Sequence, residues 1–268
     1  MRYTIGNVAR ILGISRDILR YYEKKGVVTP HKDKGNDYRY YDTWDINFLL
    51  DCIWYKKFGF PIDQIAQMVT DCDYDQLISH LEAKDAEIKR NIAHQERLLQ
   101  RIDDHRSQIL QIKEYLGKCD IRESPELFCY LNRFNSAFDD SQELQTLSQN
   151  WLDYMPFSQR YFEISQEDLL LKRDNYAWGF SVTTEHVKTF DILTDPPVYH
   201  LPSCRCIHSA FKSSGKSGFT PRHIDYMISY AHENGLEICG NARGHLVCSV
   251  LDEGTLTGYF EVWIPIKN

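Results

Sequence analysis

The chain has 268 residues, 43% of them hydrophobic and 26% charged, which is enough apolar material for more than one buried core. Its formal net charge is -7, but residues 1–60 hold 11 basic against 7 acidic side chains. The excess of acidic side chains therefore lies in residues 61–268. No stretch approaches the roughly 20 apolar residues of a membrane-spanning helix, and eight cysteines without a secretion signal do not indicate a disulfide framework, so we expect a cytoplasmic protein.

The first 25 residues predict a helix-turn-helix. Thr4 has the side chain to cap a first helix, and Gly13 permits a tight turn after it. Ser15 is placed to cap a second helix that runs toward Lys25. The spacing of apolar residues turns one face of this second helix inward. The outward side chains are Arg16, Asp17, Arg20 and Tyr21.

A β-hairpin and two further helices are predicted next. The β-prone stretches VVTP and DYRYYD flank the polar stretch KDKGN, which is typical of a hairpin, and a hairpin after such helices is a wing. A third helix is expected to begin at Asp42 or Thr43 and to end before Gly59. Pro61 opens a fourth. Residues 1–75 are therefore predicted to be a winged helix-turn-helix domain of the all-α class, with the wing as its β element.

Residues 76–116 contain neither glycine nor proline, and we predict one long helix of roughly 65 Å over residues 76–118. Such a helix is too long to fold back within a small domain, and its other face is polar, so we expect it to pair with a second chain as a coiled coil. The apolar seam of this helix consists of Leu81, Ile88, Ile92, Leu99, Ile102, Ile109, Ile112 and Leu116.

Residues 119–268 mix strand and helix patterns and predict an α+β domain. ELFCYL, RYFEI and WGFSVTTEH resemble strands, with a helix after the first of them. RCIHSAF, a helix over 221–234, LEICG, HLVCSVL and GYFEVWIPI repeat that layout. We therefore expect two similar strand-helix-strand-strand units around an antiparallel sheet.

The basic head predicts a DNA-binding surface. Rigidly held cationic and hydroxyl groups bind phosphates, and the second helix offers Arg16, Arg20 and Tyr21 for this purpose. The wing adds Arg39 and Tyr40. Solvation of a helix face explains any one of these residues equally well, but it does not explain the ordered set of helices, wing and local positive charge.

Residues 2–118 resemble the MerR family of bacterial transcription regulators in three motifs of fixed order. These are YTIGNVARILGISRDILRYYEKKGVVTP, YRYYD and KKFGFPIDQI. The resemblance implies a homodimer with an antiparallel coiled coil that distorts promoter DNA when an effector binds, so that RNA polymerase reads both promoter elements. By position it assigns backbone contacts to Arg16, Arg20, Tyr21, Arg39, Tyr40 and Lys57, and the outward Asp17 completes the predicted DNA-facing set.

The ending GLEICG, HLVCSVL and GYFEVWIPI resembles the GyrI-like, multidrug-binding effector domain, which implies a small aromatic or lipophilic cationic ligand. Such a site needs aromatic walls and a carboxylate, because a desolvated cation–π contact contributes ~2 kcal/mol. Glu261 matches the acidic position of the family's last strand, although strand alternation alone could also turn it toward water. The predicted ligand-binding set is Glu261, Tyr154, Tyr226, Tyr230, Trp151, Trp178 and His245.

His245 is a departure from relatives that carry a second glutamate at its position. A neutral imidazole accepts neutral or aromatic ligands, whereas an imidazolium opposes cations. Lipophilic cations and neutral aromatics therefore both remain open as ligands.

Two other functions are compatible with the residues. A metal or redox sensor could use Cys72 with Cys119, or Cys204 with Cys206 and nearby His208. A hydrolase-like effector domain is the other alternative, but no nucleophile elbow or triad spacing is visible, and we expect neither an enzyme nor a bound cofactor.

Overall fold

A computed structural model describes residues 2–33, 38–215 and 218–267. The chain divides into two compact units, residues 1–96 and residues 97–268, which are described separately below. Within the described ranges, none of the helices combines the length and the apolar character that crossing a bilayer requires.

The first two helices have the predicted caps. Helix α1 spans Ile5–Leu12, and the Thr4 hydroxyl accepts a hydrogen bond from the Asn7 backbone at 3.3 Å. Gly13 follows with φ +65°, a left-handed conformation that glycine adopts without strain. Helix α2 spans Arg16–Lys24, and Ser15 accepts from the Ile18 backbone at 3.2 Å.

Three short strands accompany the helices of the head, one more than the predicted wing hairpin requires. Strands β1 (Tyr3–Thr4), β2 (His31–Lys32) and β3 (Arg39–Tyr41) form an antiparallel sheet in the order β1-β3-β2. The stretch VVTP does not form a strand, and Pro30 lacks the backbone donor that a strand ladder needs. Val27 and Val28 pack in the head core instead. Residues 34–37 of the predicted hairpin lie outside the described residues.

Three more helices follow, with bounds close to those predicted. Helix α3 spans Thr43–Lys57 and begins at a capping box between Asp42 and Asp45, and α4 spans Ile62–Thr70. Helix α5 spans Tyr74–Tyr115, two residues earlier at its start than predicted, because Asp73 and Gln76 cap it reciprocally at 2.9 and 3.0 Å. It ends before Gly117, which has φ +68°.

The apolar seam of α5 is only partly covered. Leu81 packs against the head core, while Ile112 and Leu116 pack near Ala210 and Tyr259 at the other end. The remaining side chains of the seam stay exposed, between 36% and 65% of their full area. These five are Ile88, Ile92, Leu99, Ile102 and Ile109.

The second unit is built on a sheet that has nine strands in the described part of the chain, all paired antiparallel. The order is β4-β10-β12-β11-β7-β8-β5-β6, with β9 paired to β5. The strands are β4 (Asp120–Glu123), β5 (Leu127–Phe134), β6 (Ala137–Phe138), β7 (Gln159–Ile164), β8 (Ala177–Thr183), β9 (Tyr199–Leu201), β10 (Arg205–Ser214), β11 (Ala242–Asp252) and β12 (Thr255–Pro265).

Four α-helices accompany the sheet in the described ranges: α6 (Gln142–Asp153), α7 (Gln166–Leu170), α8 (Thr184–Phe190) and α9 (Asp225–Glu233). The predicted strand WGFSVTTEH stops at Thr183, because that side chain caps α8. The helix predicted over 221–234 starts as a 3₁₀ turn, Pro221–Ile224. LEICG is not a strand, since only Ile238 forms a bridge there.

The two faces of the sheet differ in polarity. One face packs against the 3₁₀ turn and α9, through Ile224 and Met227, and against α6, through Trp151. The opposite face carries polar side chains at alternate positions of neighbouring strands, because side chains alternate with a period of two along a strand. His208 and Glu261 lie on this face, which we call the polar face.

Gly244→Ala is expected to destabilise the second unit. A Cβ atom at this position would lie 2.1 Å from the Glu261 carbonyl oxygen and 2.6 Å from the Phe162 ring. Overpacking of this kind costs about 1–3 kcal/mol, which should lower the urea midpoint at an unchanged m value. Ser249→Ala, an exposed position of the same strand, is the control, and equal midpoints for the two variants would contradict the packing described.

Candidate functional site

Three arginines of the head line one cleft. Arg16 and Arg20 lie on α2 and Arg39 on β3, and together with Thr4, Ile5, Gly6 and Tyr38 they enclose about 440 Å³. The structure therefore brings together three of the seven predicted DNA-binding residues. Their charges converge although Arg39 is separated from α2 in sequence, because β3 pairs with β1 beside the start of α1.

Surface carboxylates orient two of these arginines without neutralising the cleft. Arg20 bonds Asp17 at 3.3 Å, and both side chains are more than half exposed. Arg39 pairs with Glu23 at 3.3 Å, and Glu23 also accepts the Tyr41 hydroxyl. The Arg20–Asp17 pair is exposed and contributes little free energy, so a phosphate would readily replace or share Asp17, whereas Glu23 keeps only 12% of its exposure.

The other predicted head residues lie outside the lining of this cleft. The Tyr21 hydroxyl donates to Asp63 at 2.5 Å, and this hydrogen bond raises the pKa of Tyr21. Asp63 also pairs with Lys25. Tyr40 is half-buried on β3, and Lys57 is exposed at the end of α3.

A larger cleft of about 540 Å³ lies in the second unit, and its floor includes part of the polar face. The register explains which side chains meet there, since Glu261 lies opposite His245 on β11 while Trp263, two residues on, shares its face. The full lining is Arg101, Asp104, Gln108, Arg122, Glu123, Ser124, Pro125, Leu127, Phe157, Gln159, Ser181, Val182, Thr183, His186, His245, Glu261 and Trp263.

Glu261 is held from behind by a buried histidine. His208 Nε2 lies 2.8 Å from Glu261 Oε1, and His208 Nδ1 lies 2.9 Å from Asp120 Oδ1. Each contact needs one proton, so either the imidazole carries both or one carboxyl group is protonated. The three groups together carry one negative charge in both cases, and Arg122 balances it by pairing with Asp120.

The second oxygen of Glu261 is available to a ligand. Among the described residues Oε2 makes no hydrogen bond, and the side chain keeps 23% of its exposure while lining the cleft. The charged side chains of the whole lining are two arginines and three carboxylates, a net charge of one negative unit. Such a site favours a cation or a hydrogen-bond donor over an anion.

His245 is neutral in this site. Burial lowers its pKa to about 4, and its Nε2 lies 2.7 Å from the Ser181 hydroxyl. The ring lies between Tyr161 and Trp263, at centroid distances of 5.9 and 5.6 Å. At neutral pH it therefore adds an aromatic wall and places no positive charge against a cationic ligand.

The five other predicted ligand-binding side chains do not line this cleft. Trp151 and Tyr154 pack in the cluster beneath α6, and the ring of Trp178 contacts that of Phe162 at a tilted angle. The α9 tyrosines pack against the opposite face of the sheet, where Tyr226 is hydrogen-bonded to Ser209. Helical spacing correctly gave Tyr226 and Tyr230 a common face, but that face turns toward the core. Their role as ligand contacts stays a prediction without geometric support from the cleft.

Some cleft residues escaped the sequence reasoning. Phe157 and Ser181 gave no signal, because they reach the cleft through a turn and a strand distant in sequence. Trp263 had a usable signal, since it is two residues from Glu261 on one strand and must share its face.

The cysteines do not assemble a metal centre. In residues 2–33, 38–215 and 218–267, no group of three or more His, Cys, Asp or Glu side chains has metal-binding geometry. Cys72 packs against the head core, and burial raises the pKa of Cys119 to about 11. Cys204 and Cys206 lie close together, with their sulfur atoms 3.7 Å apart.

Comparison with known proteins supports the helix-turn-helix prediction for the head. Residues 3–72 match the family described as MerR HTH family regulatory protein, so this segment is a MerR-type helix-turn-helix domain. The chain is similar to the HTH-type transcriptional activator TipA of Streptomyces coelicolor, with 30% identity over 71 residues, 26% of this chain and only 28% of TipA. It is also similar to the HTH-type transcriptional regulator YyaN of Bacillus subtilis, with 34% identity over 91 residues, 34% of this chain and 64% of that protein.

A solved structure aligns with nearly the whole chain. It is the cryo-EM structure of an EcmrR-DNA complex in EcmrR-RPo, with 17% identity, 99% of this chain, all of that chain and a TM-score of 0.39. That score is too low to assign a shared fold.

The stability of the second unit is expected to fall with acid through His245. A histidine whose folded pKa is lowered binds its proton more readily when unfolded, so stability is complete above about pH 6.5 and declines toward pH 4. The difference amounts to about 3 kcal/mol at the lower end. Urea midpoints of wild type and His245→Gln at pH 7 and pH 4.5 measure it, and parallel losses in both proteins would contradict it.

Proposed function

We propose that this chain is a ligand-responsive transcription regulator that binds promoter DNA as a homodimer. The observation that carries the proposal is the convergence of Arg16, Arg20 and Arg39 on one cleft of a MerR-type helix-turn-helix domain. TipA, which matches this segment, is an activator, and activation through distortion of the DNA is accordingly the proposed outcome here.

The proposed DNA contact uses α2 in the major groove and the β2–β3 hairpin as a wing on the backbone. Arg16 and Arg20 project from the helix, and Arg39 from the hairpin, so one phosphate track could be contacted from both elements. Tyr21, Tyr40, Lys57 and Asp17 would surround this contact. Donation to Asp63 occupies the Tyr21 proton, so Tyr21 would contact DNA through its ring or as an acceptor.

The proposed dimer forms along α5. Its five exposed seam residues, Ile88, Ile92, Leu99, Ile102 and Ile109, recur at spacings of four, seven, three and seven. A second copy would remove this stripe from water at roughly 25 cal/mol per Å². The same proposal includes an antiparallel arrangement of the two α5 helices and RNA polymerase as a further partner. It also includes a GyrI-like second unit with duplicated strand-helix-strand-strand units.

The proposed ligand is a small aromatic or lipophilic cationic compound bound in the 540 Å³ cleft. The volume falls in the range of small-molecule sites, about 300–1,000 Å³. Glu261 Oε2 would pair with the cationic or donor group, while Trp263, Phe157 and the neutral His245 ring would contact the apolar part. A metal or redox sensor remains the alternative for the cysteines, and no catalysis is proposed.

Loss of the clustered arginines should weaken DNA binding and its salt dependence together. For Arg16→Ala and Arg39→Ala, each lost phosphate contact reduces the slope of log affinity against log salt by about 0.9. Fluorescence anisotropy with a duplex selected from a random-sequence pool measures both quantities.

Lys188→Ala is the matched control, since it removes an exposed positive charge from α8 in the other unit. Its slope should equal that of wild type. An unchanged slope in both arginine variants would remove the proposed DNA surface.

Glu261→Gln should abolish the thermal stabilisation of the protein by lipophilic cations and spare that by neutral aromatic compounds. The amide keeps the size of the side chain but removes the charge that pairs with the cation. Thermal shifts across a panel of cations, neutral aromatics and metal ions provide the measurement.

Glu123→Gln, which changes another carboxylate of the same cleft, controls for a general loss of negative charge. Equal loss in the two variants would reduce the role of Glu261 to bulk electrostatics, and unchanged shifts in both would place the ligand elsewhere.

A further inference from the structure

Two cysteines lie side by side at the start of β10. Cys204 directly precedes the strand and Cys206 is its second residue, so both side chains project to the same side of the extended chain. Their sulfur atoms are 3.7 Å apart. Cys206 is completely buried, whereas Cys204 is partly exposed and accessible to a small reagent.

A buried guanidinium contacts the accessible sulfur. Arg243 is 6% exposed, and its Nη2 donates to Cys204 Sγ at 3.1 Å and to Ser124 Oγ at 2.7 Å. It forms no ion pair within the described parts of the chain, and Glu163, its register neighbour, instead accepts the Tyr161 and Tyr199 hydroxyls. A buried charge without a counter-ion is costly, and a Cys204 thiolate would supply that counter-ion.

The second cysteine stays protonated. Burial, reinforced by the neighbouring Cys204 sulfur, raises the pKa of Cys206 well above its ordinary value. The pair is therefore asymmetric, with a guanidinium on the accessible sulfur and an apolar environment around the other. Closure to a disulfide by peroxide needs this division, with one sulfur that attacks the peroxide and one that resolves the sulfenic acid.

We propose that Cys204 and Cys206 are a peroxide-reactive thiol pair that closes to an intrachain disulfide. The Cys204 thiolate attacks one oxygen of a hydroperoxide, the O–O bond breaks, and the leaving oxygen takes up a proton to become water or an alcohol. Cys204 is then a sulfenic acid. The Cys206 thiol attacks that sulfur, the S–S bond forms, the S–O bond breaks, and hydroxide leaves with the Cys206 proton as water. The two thiols lose two electrons in total, and the hydroperoxide gains them.

The disulfide should be readily reduced. Residues two apart on an extended chain have Cα atoms about 6.6 Å apart, near the upper limit of disulfide geometry. A strained disulfide has a more oxidising potential, so dithiols reopen it. Ser124, which contacts both Arg243 and Cys204, also lines the ligand cleft.

The test uses the full chain, treated at pH 7 with a small excess of hydrogen peroxide, alkylated and digested with trypsin. Cleavage after Arg205 separates residues 189–205 from residues 206–212. The disulfide therefore joins these two peptides into one species whose mass is the sum of the two free peptides minus two hydrogen atoms. That species should form after peroxide and disappear after a dithiol.

Single variants separate the roles of the two sulfurs. Cys206→Ser should accumulate a Cys204 sulfenic acid that dimedone traps, and Cys204→Ser should leave Cys206 unmodified. Arg243→Gln should slow oxidation of Cys204 about tenfold, with Arg243→Lys retaining more of the rate. Cys239→Ser, which removes an exposed cysteine elsewhere, is the matched control and should react as wild type. Urea melts verify that each variant is folded.

Three results would overturn the proposal. The linked peptides could fail to form in folded wild type while other cysteines oxidise. Cys204 could proceed to sulfinic acid with Cys206 still free. A soft metal ion retained by the purified protein could block both thiols, which would assign the pair to metal binding instead.

Discussion

The buried contact between His208 and Glu261 is the interaction on which the second unit's chemistry depends. It links β10 to β12 across the polar face, and Asp120 extends it to β4. The fully buried imidazole of His208 bridges two carboxylates that both keep part of their exposure to solvent. Glu261 is thereby held through one carboxylate oxygen, while the side chain still lines the cleft.

The polarity of the sheet follows from how its other face is covered. Helices α6 and α9 bury their apolar stripes against one side, and this leaves the alternate positions of each strand to face α5 residues and the cleft. Charged and aromatic groups therefore collect on a single face without any sequence motif joining them. The neutral His245 and the buried Arg243, two residues apart on β11, show that one strand of this face serves two separate environments.

The head and the second unit differ in where they place their charged side chains. The head places Arg20 at the surface in an exposed and therefore weak ion pair that a phosphate can replace, which suits reversible contact with a polyanion. The second unit buries the His208 imidazole between two carboxylates, an arrangement that suits selective recognition of a small molecule. The exposed seam of α5 is the part whose burial the single chain leaves incomplete.

The sequence by itself determined the local structure of the head, because caps and turns act over three or four residues: Thr4 and Ser15 begin their helices and Gly13 ends the first as predicted. Resemblance to known families also led to Glu261, which lies in the cleft. Only the tertiary structure decided which aromatic residues accompany it. Trp151 and Tyr226 are side chains of the type that a ligand site uses, yet their helices turn them into the core. Ser181 and His245 are 64 residues apart in sequence and meet because their strands belong to one sheet. Register between distant strands is set by the packing of whole faces, and no short stretch of sequence contains that information.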